Sequence, residues 1–230
     1  MKKTWLLGVF LLLGSQLHAQ LFLPPIERFS SKKPGYLITT AGEKIEFELE
    51  DLDRKKGLIY NVEGKRLDNG KKFDLDADQI AELALAPSDY AKFASFSNSS
   101  QSVLKASKTD FSKIDRSLVH FYQAKVEEQK KTTLLQLLNQ GFDSKIKVYH
   151  DPFAAETMGL AVGGIQVTGG LDKSYYITAN GKTYRLKKKN YDDQFKELFG
   201  NCPAVMQKYG NNFDWRDLES HVLLQHDECK

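Results

Sequence analysis

Asn180-Gly181, at the centre of the run from Tyr175 to Leu186, constrains the fold more tightly than any other feature of the chain. The dipeptide supplies the two positive-φ positions of a type I′ turn, so the strands on either side must pair antiparallel in one register. Tyr175 then opposes Leu186 and Ile177 opposes Tyr184 on the expected core face, while Tyr176 with Arg185 and Thr178 with Thr183 share the other. A tyrosine left on an open sheet face can stack on a sugar or a peptide. Tyr176 and Arg185 are therefore candidate binding residues.

The same alternation recurs upstream. Tyr36 to Thr40 and Glu43 to Leu49 read as a hairpin turning at Ala41-Gly42, with Ile38 opposite Ile45 and Tyr36 opposite Phe47, although Ala-Gly is a weaker turn signal than Asn-Gly and a bulge there would shift the register. Leu58 to Val62 reads as a third strand after a charged turn from Asp51 to Gly57, and Phe73 to Leu75 as a short fourth. Ile80 to Leu85 fits a helical face or a strand equally well. Leu118 to Val126 and Ile146 to Tyr149 carry the aromatic and branched content of strands, and Thr132 to Leu138 suits a buried strand or a helical turn.

Beyond Lys187-Lys188-Lys189 the period changes. Tyr191, Phe195, Leu198 and Phe199 share one helical face, with Asn190 or Asp192 as the cap and Gly200 as the stop. Pro203 to Tyr209, and a segment capped by Asp214 that carries Trp215, Leu218 and Val222, supply two further short helices. The expected class is α+β, a mostly antiparallel β-sheet or roll with a small C-terminal helical subdomain. Its parts are a signal peptide (1–19), an extended lead-in (20–34), an N-terminal β-rich region (35–94), a loop or boundary rich in Ser and Asn (95–117), a second β-rich region (118–189) and the helical end (190–230).

Lys2 and Lys3, the apolar run Trp5 to Leu13 and the short polar end closing on Ala19 have the order of a secretory signal peptide, with cleavage after Ala19. The apolar run is well short of the roughly 20 residues that span a bilayer, so no transmembrane anchor is expected after cleavage. Losing Lys2 and Lys3 with the leader, and no acid, takes the formal charge from +3 to +1. A near-neutral exported chain has no general attraction to nucleic acid, and the lysine run at 187–189 reads as a solvated junction. Export also bears on Cys202 and Cys229, the only cysteines, which are expected to form a disulfide.

Few motifs point to chemistry. Asp74-Leu75-Asp76-Ala77-Asp78 begins like a calcium loop, but Gln79 stands where glycine is required and Leu85 where the closing glutamate would be, so no metal site is expected. There is no Gly-x-Ser-x-Gly, no His-Glu-x-x-His and no P-loop, and no cofactor is expected. His150-Asp151, beside Pro152 at a strand end, is the pair best placed for function, close to the glycine-rich segment 159–170. His150 or His120 in a concave pocket beside acids would favour an enzyme; a filled core with a flat aromatic face would favour binding.

The hairpin Gly35 to Ile45, the central Leu134-Leu135-Gln136-Leu137-Leu138-Asn139 with Gly141-Phe142 and Lys145 to Tyr149, and the end Phe195 to Pro203 resemble uncharacterised exported proteins of Bacteroidota-type bacteria. The resemblance implies an envelope location and no catalytic residue. The expected role is that of a non-enzymatic binding or structural component of the cell envelope, periplasmic or extracellular, with an envelope protein or glycan as partner. The alternative is an envelope hydrolase with its site near His150 and the glycine-rich segment. Oligomeric state is not encoded in any of these features.

Overall fold

The computed structural model describes residues 21–88, 117–127, 131–154, 161–162, 165–166 and 173–229. The expected signal peptide, most of the 95–117 boundary and the glycines of the 159–170 segment lie outside the described residues. The chain is mostly antiparallel β with helices at its C-terminal end.

The strands are β1 (Gly35–Thr39), β2 (Lys44–Lys55), β3 (Leu58–Arg66), β4 (Lys72–Asp76), β5 (Ile80–Leu85), β6 (Val119–Ala124) and β7 (Thr133–Gln136). They pair in the order β2-β1-β5-β6-β7-β3-β4, and β2 also pairs β3, so six of the seven form a closed barrel with β4 as a flap on β3. The expected antiparallel sheet or roll is, more specifically, a closed barrel. Closure requires strands that bend, and the register shifts between Leu49 and Asp51 and between Asp53 and Arg54 let β2 turn from β1 onto β3. Ile80 to Leu85, ambiguous in sequence, is strand because both its edges are taken, by β1 and by β6.

The first hairpin differs from the expected register by one residue. Leu37 pairs Ile45 and Gly35 pairs Phe47, which places Leu37, Ile45 and Phe47 in the barrel and turns Tyr36 outward. The turn is the cause: Gly42, at φ 87°, closes a three-residue loop in which the Thr39 amide donates to the Glu43 carbonyl at 2.9 Å. A slip of one residue exchanges the two faces of a strand. The charged stretch from Asp51 is likewise strand and not turn; the turn is Lys56-Gly57, both at positive φ.

Leu37, Phe47, Val62, Ile80, Leu83 and Leu134 fill the barrel. At Gly64 of β3 the backbone is pressed between two rings, since a Cβ there would lie 2.6 Å from Phe47 and 2.8 Å from Phe73. Gly64→Ala is therefore expected to cost about 1 to 3 kcal/mol through overpacking. Urea denaturation of the variant checks this.

A second, three-stranded sheet has the order β12-β11-β8, from β8 (Lys147–Tyr149), β11 (Ser174–Ala179) and β12 (Lys182–Lys187). Between them in sequence, β9 (Ala161–Val162) and β10 (Ile165–Gln166) form a minimal antiparallel pair. The β11–β12 hairpin has the register read from Asn180-Gly181, including Tyr176 opposite Arg185. Its Tyr175 face packs on α1 (Tyr191–Phe199), α2 (Pro203–Tyr209) and α3 (Leu218–Glu228) in a core rich in aromatic rings. Its Tyr176 face, with Tyr149 of β8 beside Tyr176, closes on the outer wall of the barrel through Leu58, Ala124 and Leu135. The Cys202–Cys229 disulfide joins the start of α2 to the end of α3.

His221 sits at the centre of the helical core. Its Nδ1 is hydrogen-bonded to the Tyr191 hydroxyl at 2.6 Å, its Nε2 is buried without a partner among the described residues, and the rings of Tyr209 and Phe195 meet it in T-shaped contacts. Burial first, then the charge of Lys208, pushes its pKa down from 6.5 to about 4. The unfolded chain binds this proton near pH 6.5, so stability is intact above pH 6.5 and falls as the pH drops toward 4, by up to about 3 kcal/mol. Denaturation of wild type and His221→Phe at pH 7 and pH 4 isolates the effect, because the variant loses the dependence that His221 contributes.

Candidate functional site

The mouth of the barrel is crossed by the lead-in, which is bound to the fold along its length. Leu21 and Phe22 are buried in the helical core, and the Leu21 amide donates to the Glu219 carboxylate. The Leu23 amide donates to the Leu138 carbonyl at 2.7 Å, the Ile26 amide to Gln136 Oε1 at 3.2 Å and the Ser30 amide to the Ala86 carbonyl at 2.9 Å. Phe29 meets Phe121 edge to face at 5.6 Å. An extended segment needs such partners because its own backbone makes none.

Under this strap lies a pocket of about 300 Å³. Phe121, Leu134, Ile59 and Leu58 line its apolar part, and Arg54, Lys56, Gln136, His150 and Glu27 its polar part. Arg54 comes from the end of β2, where it donates to the Glu27 carbonyl at 2.9 Å and lies 5.3 Å above the Phe29 ring. It makes no ion pair among the described residues. Burial lowers its pKa, opposed by the charges of Glu27 and Asp51. Lys56 follows in the turn to β3, and Gly57 there could carry no side chain because a Cβ would lie 2.5 Å from Pro152. That contact brings the His150 segment against the mouth.

His150 is fixed by its amide, which donates to the Gln136 carbonyl at 2.9 Å. Its Nδ1 is sealed from solvent and has no partner. Burial holds its pKa below the ordinary value against the opposing charges of Glu27 and Asp151, so the ring is neutral at pH 7.

The sequence-derived residues separate. His150 lines the pocket, with Glu27 as the neighbouring acid. Asp151 points elsewhere: its carboxylate, fully buried, accepts from Arg185 Nε, from the Ser174 hydroxyl at 2.5 Å and from the Phe153 amide at 3.0 Å. Arg185 is thus a structural partner of Asp151, a pairing between residues 34 positions apart that no local sequence pattern marks. Tyr176 is only 3% exposed and offers no open ring, which corrects the expectation of an exposed tyrosine face. The hydrophobic barrel wall covers it. His120 lies on the outer wall, its Nδ1 3.0 Å from Glu82 Oε1, which also accepts from the Tyr36 hydroxyl at 2.8 Å.

The pocket residues missed in sequence are Arg54, Lys56, Gln136, Ile26 and Phe29. Ile26 and Phe29 stand out in retrospect as apolar residues in a segment otherwise lacking periodicity. A second, more open groove of about 510 Å³ is lined by Tyr122, Lys125, Lys147, Lys182 and Glu127, with the Lys147 ammonium 4.0 Å above the Tyr122 ring. The Asp74 and Asp76 carboxylates accept from Asn61 Nδ2, and among the described residues no group of three or more His, Cys, Asp or Glu is placed to hold a metal ion. Among those residues no helix is long and apolar enough to cross a membrane. Compared with protein-family models, with curated proteins and with solved structures, the chain matches none.

Proposed function

We propose that this chain is an exported, non-enzymatic binding protein of the cell envelope and that the barrel mouth is its binding site. His150 lies in a concave pocket beside the acid Glu27, the placement expected of an enzyme, but the observation that carries the choice of binding over hydrolysis is the state of its ring: a catalytic base of this type needs its Nδ1 held by an acceptor that fixes tautomer and orientation. Here Nδ1 has no partner, and the adjacent Asp151 is committed to Arg185 and Ser174. The pocket lining among the described residues also includes no Ser, Thr or Cys to act as nucleophile. Barrel mouths of mixed apolar and polar lining are common ligand sites. The signal-peptide pattern of residues 1–19 and the disulfide between Cys202 and Cys229 support the envelope location.

The test is to purify the exported protein natively, denature it and look by mass spectrometry for a small molecule in stoichiometric amount. A ligand is expected in the wild type and is reduced or lost in His150→Ala, while ester, amide and glycoside reporter substrates are not turned over. Turnover that disappears in His150→Ala would overturn the binding reading in favour of a hydrolase.

A further inference from the structure

We propose that the pocket at the barrel mouth takes a small organic carboxylate with an apolar body, the carboxylate meeting Arg54, Lys56, His150 and Gln136 and the body resting on Phe121 and Leu134. This rests on the binding reading above and names its ligand class.

The polar wall is almost entirely made of donors. Gln136 Oε1 is occupied by the Ile26 amide at 3.2 Å, which leaves the side-chain NH₂ to donate. His150 is neutral, and with Nδ1 sealed away from any acceptor the ring proton belongs on Nε2, where it can be solvated or donated to a ligand. Arg54 and Lys56 add two cations, neither in an ion pair among the described residues, against the single carboxylate of Glu27. Such a wall calls for a ligand that accepts hydrogen bonds and carries negative charge.

Carboxylate fits better than a free inorganic anion for two reasons. The Arg54 guanidinium presents a planar fork that matches two carboxylate oxygens. The remaining walls are apolar and gain only if an apolar body covers them. A volume of about 300 Å³ lies at the small end of the roughly 300–1,000 Å³ range of ligand pockets, which suits a small acid such as hexanoate or phenylacetate.

The experiment is a titration of the full mature chain, followed by amide and methyl NMR, with hexanoate and phenylacetate, with the neutral hexanamide and phenylacetamide, and with inorganic phosphate. The carboxylates are expected to shift Phe121, Leu134 and the strap residues Ile26 and Phe29, and to bind about ten- to a hundredfold more tightly than their amides. Arg54→Gln is expected to remove that preference, and Lys56→Gln, at an exposed position that leaves the strap contacts intact, to reduce it. Amides binding as tightly as carboxylates, or phosphate binding better than either, would overturn the carboxylate assignment while leaving the pocket as a binding site. If none of the probes shifts any pocket residue, the carboxylate assignment fails; recovery of some other bound molecule from the native protein then decides whether the binding reading stands without it.

Discussion

Replacing Arg185 by Ala is expected to destabilise the protein by about 3 to 5 kcal/mol. The Asp151 side chain is fully buried and Arg185 a quarter exposed, so the variant leaves a carboxylate inside the protein with only the Ser174 hydroxyl and the Phe153 amide to satisfy it. The cost comes from that stranded charge more than from the attraction lost. Replacing both partners by leucine removes the charge as well, and the double variant Asp151→Leu, Arg185→Leu is expected to be more stable than Arg185→Ala alone. Guanidinium denaturation of the three proteins decides the matter. A loss below about 1 kcal/mol in Arg185→Ala would place the pair among weak surface contacts.

Breaking the Cys202–Cys229 bond is expected to cost about 3 to 4 kcal/mol. The two Cα atoms lie 5.5 Å apart and the residues are 27 positions apart in sequence, a loop whose closure restricts the unfolded chain substantially. The bond also ties the start of α2 to the end of α3, short helices that would be marginal without tertiary support. Because Cys202 is buried, alanine is the better replacement, as serine would add an unsatisfied hydroxyl. Denaturation of the Cys202→Ala, Cys229→Ala variant beside reduced and oxidised wild type measures the effect; equal stability of all three would contradict it.

Much of the local structure was legible in the chain because turn chemistry and side-chain periodicity act over short distances. Asn180-Gly181 dictated the β11–β12 register, and the apolar spacing from Tyr191 to Phe199 dictated α1. The first hairpin was misread by one residue because Ala41-Gly42 admits a loop with Gly42 at positive φ, and that single residue decides which face is core. Barrel closure was not legible, since it depends on β2 meeting β3 through bulges that no local pattern marks. The site was less legible still. His150, which lines the pocket, stands out in sequence by its position at a strand end, whereas Arg54, Gln136 and Phe29 come together only through closure and the strap. Tyr176 was misassigned because alternation identifies two faces of a sheet and does not reveal that a second layer covers the outer one.

The most direct test of the barrel mouth as the binding site is an NMR titration of the protein without residues 1–19 with the small-molecule fraction of a cell-envelope extract. The expected result is a set of shifts centred on Phe29, Phe121, Leu134 and His150 that His150→Ala diminishes. Shifts centred on Lys125, Lys147 and Lys182 with none at the mouth, or no shifts anywhere, would contradict it.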